Sequence, residues 1–376
     1  MSSAPAEYLD SRRRSLARML QAESLDALLV SHPQNIAYLT GFFGSAGVLV
    51  ATPERLILLS DSRYQGVLID LAEQLPMLTA VVAPSSGSQE ESLVAEIARL
   101  GAVRLGIEAG AMTVRHHLDL TRRLEAAGIG VELVPVDGAV ERLREVKDAW
   151  EVATLREAGQ RLSDVAKCII PKALAGSRER DLAAIIEWEL RRQGFDKPAF
   201  DTIVASGPNA ATPHHRAGDR QLADGDLVVI DFGGMFRGYA VDMTRTVILG
   251  VASPRQRTCW DAVARAQRAA FEAATIGTEA EDVDAAARRV LEQEGLGEAF
   301  GHGLGHGLGL DVHERPRLSR RRAGVSQGPL QAGMVFTLEP GVYFPGWGGV
   351  RIEDDVLSTA AGPEWLTEPV DVVRAT

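Results

Sequence analysis

The spacing of hydrophobic and polar positions changes character partway along the chain. Residues 7 to 24 repeat apolar side chains at helical spacing, with Leu9, Leu16, Met19 and Leu20 on one side. That pattern predicts an amphipathic helix with Arg12 to Arg14 on its solvated face. LDALLVS, from Leu25, reads as a buried strand, and Pro33-Gln34-Asn35 as a turn. GVLVAT and RLILLSD are apolar runs joined through Pro53-Glu54, which predicts a hairpin. VAEIARL reads as a helix, RLGIEA as a strand, and VRHHLDLTRRLEAAG as a helix closed by Gly128. Alternating strands and helices predict an α/β N-terminal domain over residues 1–137.

After a linker at 138–147 the pattern differs. Two long amphipathic helices are expected at 148 to 170 and 178 to 193, then strands at 200 to 206, 226 to 232 and 239 to 249. Two more helices are expected at 257 to 274 and 279 to 294, the second opened by a capping box, Thr278-Glu279-Ala280-Glu281. The tail from 333 to 373 is strand-rich. The basic stretch Arg315 to Arg322 reads as an exposed loop. Helices grouped apart from antiparallel strands make residues 148–376 an α+β domain.

Composition narrows the function classes. The chain has 376 residues, 45% hydrophobic and 24% charged, which is an ordinary globular composition. A net charge of -11 disfavours nucleic acid and anionic membrane surfaces as partners. Two cysteines cannot build a disulfide framework. With no secretory h-region and no apolar run near the ~20 residues of a membrane span, a soluble cytoplasmic protein is expected.

Two segments place carboxylates where strands should be buried. In DLVVIDFGGMFRGYAVDMTRTVIL, Asp231 and Asp242 are 11 apart, and a hairpin turning between Phe236 and Arg237 would set them opposite each other. In MVFTLEPGVYFPGWGGVRIEDDVL, Glu339 and Glu353 are 14 apart and centred on Gly346. Opposed like charges destabilise a sheet, so each pair needs compensation. Two divalent cations would supply it; shared protons are the other solution. The segment FGHGLGHGLGLDVHE adds His302, His306 and His313 among five glycines, and His214 and His215 lie in ATPHHR. Histidines with carboxylates suit Mn, Co, Fe or Zn.

Taken together these motifs resemble the metallopeptidase family of prolidase, aminopeptidase P and methionine aminopeptidase, with its pita-bread catalytic domain and curved antiparallel sheet. SHPQNIAYLTGF and LLSDSRY resemble the N-terminal domain of the Xaa-Pro branch. SGPNAATPH, GHGLGHGLGLDVHE, TLEPGVY and GGVRIEDDV follow in the family's order. The resemblance implies five metal ligands, Asp231, Asp242, His306, Glu339 and Glu353, with Asp242 and Glu353 bridging two ions, manganese foremost. His306 is preferred to His302 because its distance of seven residues from His313 matches the family. All five ligand types are present, so nothing marks an inactive relative.

The expected reaction is hydrolysis of the peptide bond before proline in short peptides, as in an Xaa-Pro dipeptidase, by a homodimer. Glu339 would shuttle the proton, and His313 and His214 would donate hydrogen bonds to the intermediate or leaving group. His302 would line the substrate pocket. Arg351 would support the site or hold a substrate carboxylate. Aminopeptidase P activity, hydrolysis of a non-peptide amide and a metal-free binding role are the alternatives.

Overall fold

The structure, a computed structural model, describes residues 4–83, 89–321, 327–369 and 374–375. The chain divides into two units, Met1–Arg144 and Glu145–Thr376.

In the first unit the order is α1 (Ala6–Ala22), β1 (Ala27–Val30), α2 (Pro33–Thr40), β2 (Val48–Ala51), β3 (Leu56–Ser60), α3 (Gln65–Gln74), β4 (Leu78–Val82), α4 (Gln89–Leu100), β5 (Arg104–Glu108), α5 (Val114–Ala126), β6 (Glu132–Val136) and a short α6 (Glu141–Arg144). One six-stranded sheet has the order β4-β3-β2-β1-β5-β6. The β2–β3 hairpin turns where Pro53-Glu54 predicts, pairing Ala51 with Leu56. The β1, β5 and β6 strands run parallel, as helical crossovers require. Leu29, Val50, Ile57 and Leu105 pack with Leu93, Ile97, Leu120 and Leu124 of the helices to form the core.

Two local expectations fail here. Pro33-Gln34-Asn35 is the first turn of α2 rather than a loop, with Pro33 at a position whose N–H a helix does not need. Arg12 is buried rather than solvated. Its guanidinium lies 4.4 Å from the Tyr38 ring centre and donates to the Tyr38 carbonyl at 2.9 Å.

The second unit opens with α7 (Ala149–Ile169) and α8 (Glu179–Arg192). The Asp148–Glu151 capping box starts α7. Next come β7 (Lys197–Pro198), β8 (Ile203–Ser206), β9 (Leu227–Phe236) and β10 (Tyr239–Leu249). Helices α9 (Pro254–Ala273) and α10 (Ala280–Gln293) follow, then β11 (Gly305–Gly307), β12 (Glu314–Leu318), β13 (Val335–Leu338), β14 (Gly341–Phe344), β15 (Gly348–Arg351), β16 (Asp354–Thr359), β17 (Gly362–Trp365) and β18 (Arg374–Ala375). One sheet runs β18-β10-β9-β7 with β8 also on β9; another runs β12-β11-β13-β16-β17. Apart from β10–β18 the pairings are antiparallel. An isolated bridge between Thr244 and Glu353 ties β10 to the start of β16.

The capping box expected at Thr278–Glu281 does not form: Glu279 caps α10 without a side-chain bond. Thr278 Oγ1 pairs with Thr275, and the Glu281 carboxylate accepts from the Gln327 amide instead. The capping box of α9 is Ser253–Gln256. The Arg315–Arg322 stretch is strand through Leu318 rather than loop, paired with β11. Arg322 and residues 370–373 of the expected strand-rich tail lie outside the described residues.

Candidate metal centre and active site

The β9–β10 hairpin closes through Arg237 and Gly238, both at positive φ (52° and 85°). That two-residue turn matches the twist of the flanking strands. Its centre lies one residue later than expected, so Asp231 pairs with Thr244 and Asp242 with Gly233. The two aspartates are therefore diagonal neighbours, not directly opposed. They still share a face, because the displacement is by two positions. The second hairpin keeps its expected centre. Gly341 pairs with Arg351 and, beyond the break, Leu338 with Asp354. That register carried through the break sets Glu339 opposite Glu353.

The β11 strand brings the histidine. A Cβ on Gly305 would collide with the Thr337 carbonyl, and one on Gly307 with the Arg315 carbonyl. Glycine at both flanks of His306 lets the neighbouring strands close around it. The His306 Nδ1 is 3.0 Å from its neighbour's carbonyl, Gly307 O, which fixes Nδ1 as the donor and leaves the Nε2 lone pair bare. Burial lowers its pKa to about 4, so the ring is neutral at pH 7.

Asp242, His306 and Glu353 place ligand atoms within 4.8 Å of one another. Glu339 Oε1 is 3.6 Å from His306 Nε2. Asp231 turns one oxygen to Arg351 Nη2 at 2.5 Å. Its Oδ1 and the Oδ1 of Asp242 are buried and accept no hydrogen bond. Burial pushes all four carboxyls up. At Asp242 the charges of Glu353 and Asp231 add to it, and at Glu339 that of Glu353. Glu353 rises to about 8 through burial and then Asp231, while Asp231 rises against the pull of Arg351. Orphaned carboxylate oxygens beside a bare imidazole nitrogen are what cations would satisfy, so the donor set fits divalent metal.

Arg351 is 3% exposed. It donates from Nε to Thr244 Oγ1 (3.1 Å), from Nη1 to Tyr343 Oη (2.8 Å) and from Nη2 to Asp231 and the Pro213 carbonyl (3.4 Å). Burial opposes its charge, but Tyr343, Asp231, Glu353 and Glu339 hold its pKa well above the usual range. Of the two roles expected for it, these bonds favour support of the site, although Arg351 also lines the cavity. Thr244 Oγ1 in turn donates to Glu353 Oε2 at 2.5 Å. Tyr343, whose pKa burial raises to about 12, stays a phenol and lies 3.1 Å from His302 Nε2. His302 is neutral, its pKa lowered to about 4 by burial.

These groups border a cavity of about 1170 Å³. His214, His302, His306, His313, Glu339 and Arg351 all reach its wall. The His313 ring lies 4.2 Å from the His306 ring, and burial lowers its pKa. His214 is exposed at the cavity wall; His215 lines the cavity too, but its ring meets Glu179 at 2.9 Å. Sequence reasoning missed Thr244, Tyr343 and Arg317. Arg317 pairs with His306 across β11–β12, lines the cavity, and its charge helps depress the pKa of both His306 and His313. The alternation in Glu314–Leu318 was the available signal.

A carboxylate–imidazole cluster aimed into a cavity of peptide size is the equipment of a metal-dependent hydrolase. Residues 153–360 match the model of metallopeptidase family M24, and residues 12–146 match the Creatinase/Prolidase N-terminal domain. The chain belongs to the M24 metallopeptidases. It is 33% identical to the Xaa-Pro dipeptidase of Pyrococcus furiosus over 95% of this chain and 97% of that one. An Xaa-Pro dipeptidase structure from Bacillus anthracis superposes with a TM-score of 0.90 at 32% identity, covering 97% of this chain and 99% of that one. The X-Pro aminopeptidase structure from Thermotoga maritima gives 0.84 at 32% identity, covering 95% and 99%.

Proposed function

We propose that the protein is an Xaa-Pro dipeptidase that hydrolyses the bond before proline with two divalent ions. The observation that carries the hydrolytic chemistry is the pair of buried, orphaned carboxylate oxygens on Asp231 and Asp242 beside Asp242–His306–Glu353. Proline enters from the dipeptidases the chain is similar to. Asp231, Asp242, His306, Glu339 and Glu353 would hold the ions. Bound there, the ions would supply Lewis acidity, lowering the pKa of the attacking water and polarising the scissile carbonyl.

The remaining work falls to side chains. Glu339 accepts the proton of the water and passes it to the leaving nitrogen. His313, neutral at pH 7, donates an N–H to the developing oxyanion, and His214 serves the leaving side. His302, braced by Tyr343, shapes the pocket. Arg317 or Arg351, both at the cavity wall, would pair with the carboxylate of a dipeptide. Manganese as the native metal, a homodimer and a cytoplasmic location complete the reading. The two cysteines, Cys168 and Cys259, are unpaired, and no helix among the described residues is long and apolar enough to cross a membrane.

Aminopeptidase P activity is the second reading, favoured by the similarity to the Thermotoga maritima enzyme. The test is amino-acid release from Ala-Pro, Ala-Pro-Ala and Ala-Ala-Ala by manganese-loaded and chelated protein. Metal-dependent cleavage of Ala-Pro alone is expected. Cleavage of Ala-Pro-Ala would move the assignment to aminopeptidase P. No peptide cleavage despite bound metal would overturn the substrate class.

A further inference from the structure

Two turns in the catalytic unit share one backbone wiring. In the first, Gly176 N donates to Leu222 O (2.8 Å), Leu222 N to Ser177 O (2.9 Å) and Glu179 N to Arg220 O (3.0 Å). In the second, Gly277 N donates to Leu330 O (2.9 Å), Leu330 N to Thr278 O (2.8 Å) and Ala280 N to Gly328 O (3.3 Å). Glu179 and Ala280 hold equivalent places at the starts of α8 and α10, and both are fully buried. A methyl group is therefore enough for this turn, and the Glu179 carboxylate has another task.

That carboxylate gathers one segment. Its Oε1 accepts from Ser206 N (2.8 Å), Ser206 Oγ (2.7 Å) and Asn209 Nδ2 (3.0 Å). Its Oε2 accepts from Gly218 N (3.2 Å) and lies 2.9 Å from His215 Nε2. The donors bracket Pro213 and His214, which line the cavity. Among the described residues the His214 ring has no hydrogen-bond partner. Its two neighbours are held instead: the Pro213 carbonyl by Arg351, and the His215 ring by Glu179. Burying a carboxylate is costly unless several donors meet it, and here they all belong to the segment that carries His214.

We propose that Glu179 is a positioning residue that holds His214 in its catalytic place, anchoring the 206–218 segment on the side opposite Arg351. This rests on the reading of His214 as the group serving the leaving side. Glu179 does not line the cavity and meets none of the proposed metal ligands, so its effect reaches the reaction through the segment that carries His214. Displacing a catalytic group by about 1 Å can cost about a hundredfold in rate.

The test is a double-mutant cycle on the manganese-loaded enzyme, with kcat, KM and bound metal measured for each variant. Glu179→Ala and Glu179→Gln are expected to lower kcat about 10- to 100-fold and about 3- to 10-fold, with KM within about twofold and metal content unchanged. His214→Ala alone is expected to lower kcat, and adding Glu179→Ala to it to lower kcat by no more than about twofold further. Losses that multiply in the double variant would overturn the role of Glu179 while leaving His214 in place. A lower unfolding temperature with unchanged kcat would do the same, since that is the mark of structural support alone. An unimpaired His214→Ala enzyme would overturn the underlying reading of His214, and the proposal with it. Should Glu179→Ala fail to fold, Asn209→Ala and His215→Ala each remove one donor. Each is expected to lower kcat several-fold in the wild-type background and not in the His214→Ala background; equal losses in both backgrounds would refute the proposal.

Discussion

Asp231 and Asp242 stand on a hairpin closed by two residues, Arg237 and Gly238. Glu339 and Glu353 stand on one closed by three, Pro345 to Trp347, since Phe344 pairs with Gly348. Turn length sets the register, and the register sets how the acids meet. The shorter turn leaves the aspartates diagonal, whereas the longer one leaves the glutamates directly across. Their relief differs too. The first hairpin borrows a cation from the second, through the Arg351–Asp231 ion pair at 2.5 Å. The second has the Thr244 hydroxyl at Glu353, the Thr337 hydroxyl and a neutral His306 near Glu339, and the pull of the Arg351 charge on both glutamates. Each hairpin thus depends on the other, and neither is neutralised by protein groups alone.

Removing a residue proposed to be a shared ligand should disturb both hairpins at once. Asp242→Ala and Glu353→Ala are expected to lose bound metal and to fall to background activity, checked by elemental analysis beside an Ala-Pro assay. Full activity with metal retained in either variant would remove that residue from the ligand set.

Removing the borrowed cation should cost less. Arg351→Met leaves Asp231 buried without its partner, a loss of about 3–5 kcal/mol of stability in the chelated protein. Metal affinity should drop about 10- to 100-fold, as for other groups that orient ligands. Urea unfolding with and without manganese separates the two effects. An unchanged midpoint in chelated protein would show that Asp231 does not need Arg351.

The pH response follows from the raised carboxyls. Glu353 moves from its ordinary value near 4.5 up to about 8 in the folded protein. A group raised on folding stabilises fully below its unfolded pKa, and that contribution is lost as pH rises through the folded one. Chelated protein is therefore expected to lose stability as pH rises from about 4.5 to 8. Manganese must displace these protons, so its affinity should climb over the same range. Thermal scans at several pH values, chelated and loaded, check both signs. Stability of the chelated protein that rises with pH would contradict the direction.

The smallest effects lie at the turns. Gly238 and Gly346 have φ of 85° and 78°. Gly238→Ala and Gly346→Ala should each cost roughly 1 kcal/mol. The metal should stay bound, because each ladder is pinned by several pairs. A lost ion in Gly238→Ala would show that the turn holds the diagonal register by itself.

The sequence made the elements of both units legible, since long amphipathic helices and buried apolar strands carry strong periodic signals. It also brought out all five proposed ligands, because Asp231 in the run Leu227–Ile230 is out of character for a buried strand. What it could not show was register to within a residue. The turn expected between Phe236 and Arg237 lies one residue before the observed one at Arg237-Gly238. Side chains that act through others were also hidden. Thr244 and Tyr343 look like ordinary strand residues, and Glu179 looks like a helix-opening acid until the 206–218 segment folds over it. Arg12 is expected on a solvated face because a charge suggests water, and for Arg351 the sequence leaves open support of the site or a substrate carboxylate. In the fold, the guanidinium of Arg12 meets Tyr38 and that of Arg351 meets Asp231.

The central claim is that two hairpins, each carrying two acids, together hold two ions. The most direct measurement is the number of manganese ions bound per chain, by calorimetric titration of chelated protein into which metal is returned. Two ions per chain, falling in both Asp242→Ala and Glu353→Ala, is the expected result. A single ion per chain, with Asp231→Ala or Glu339→Ala leaving its affinity unchanged, would contradict it.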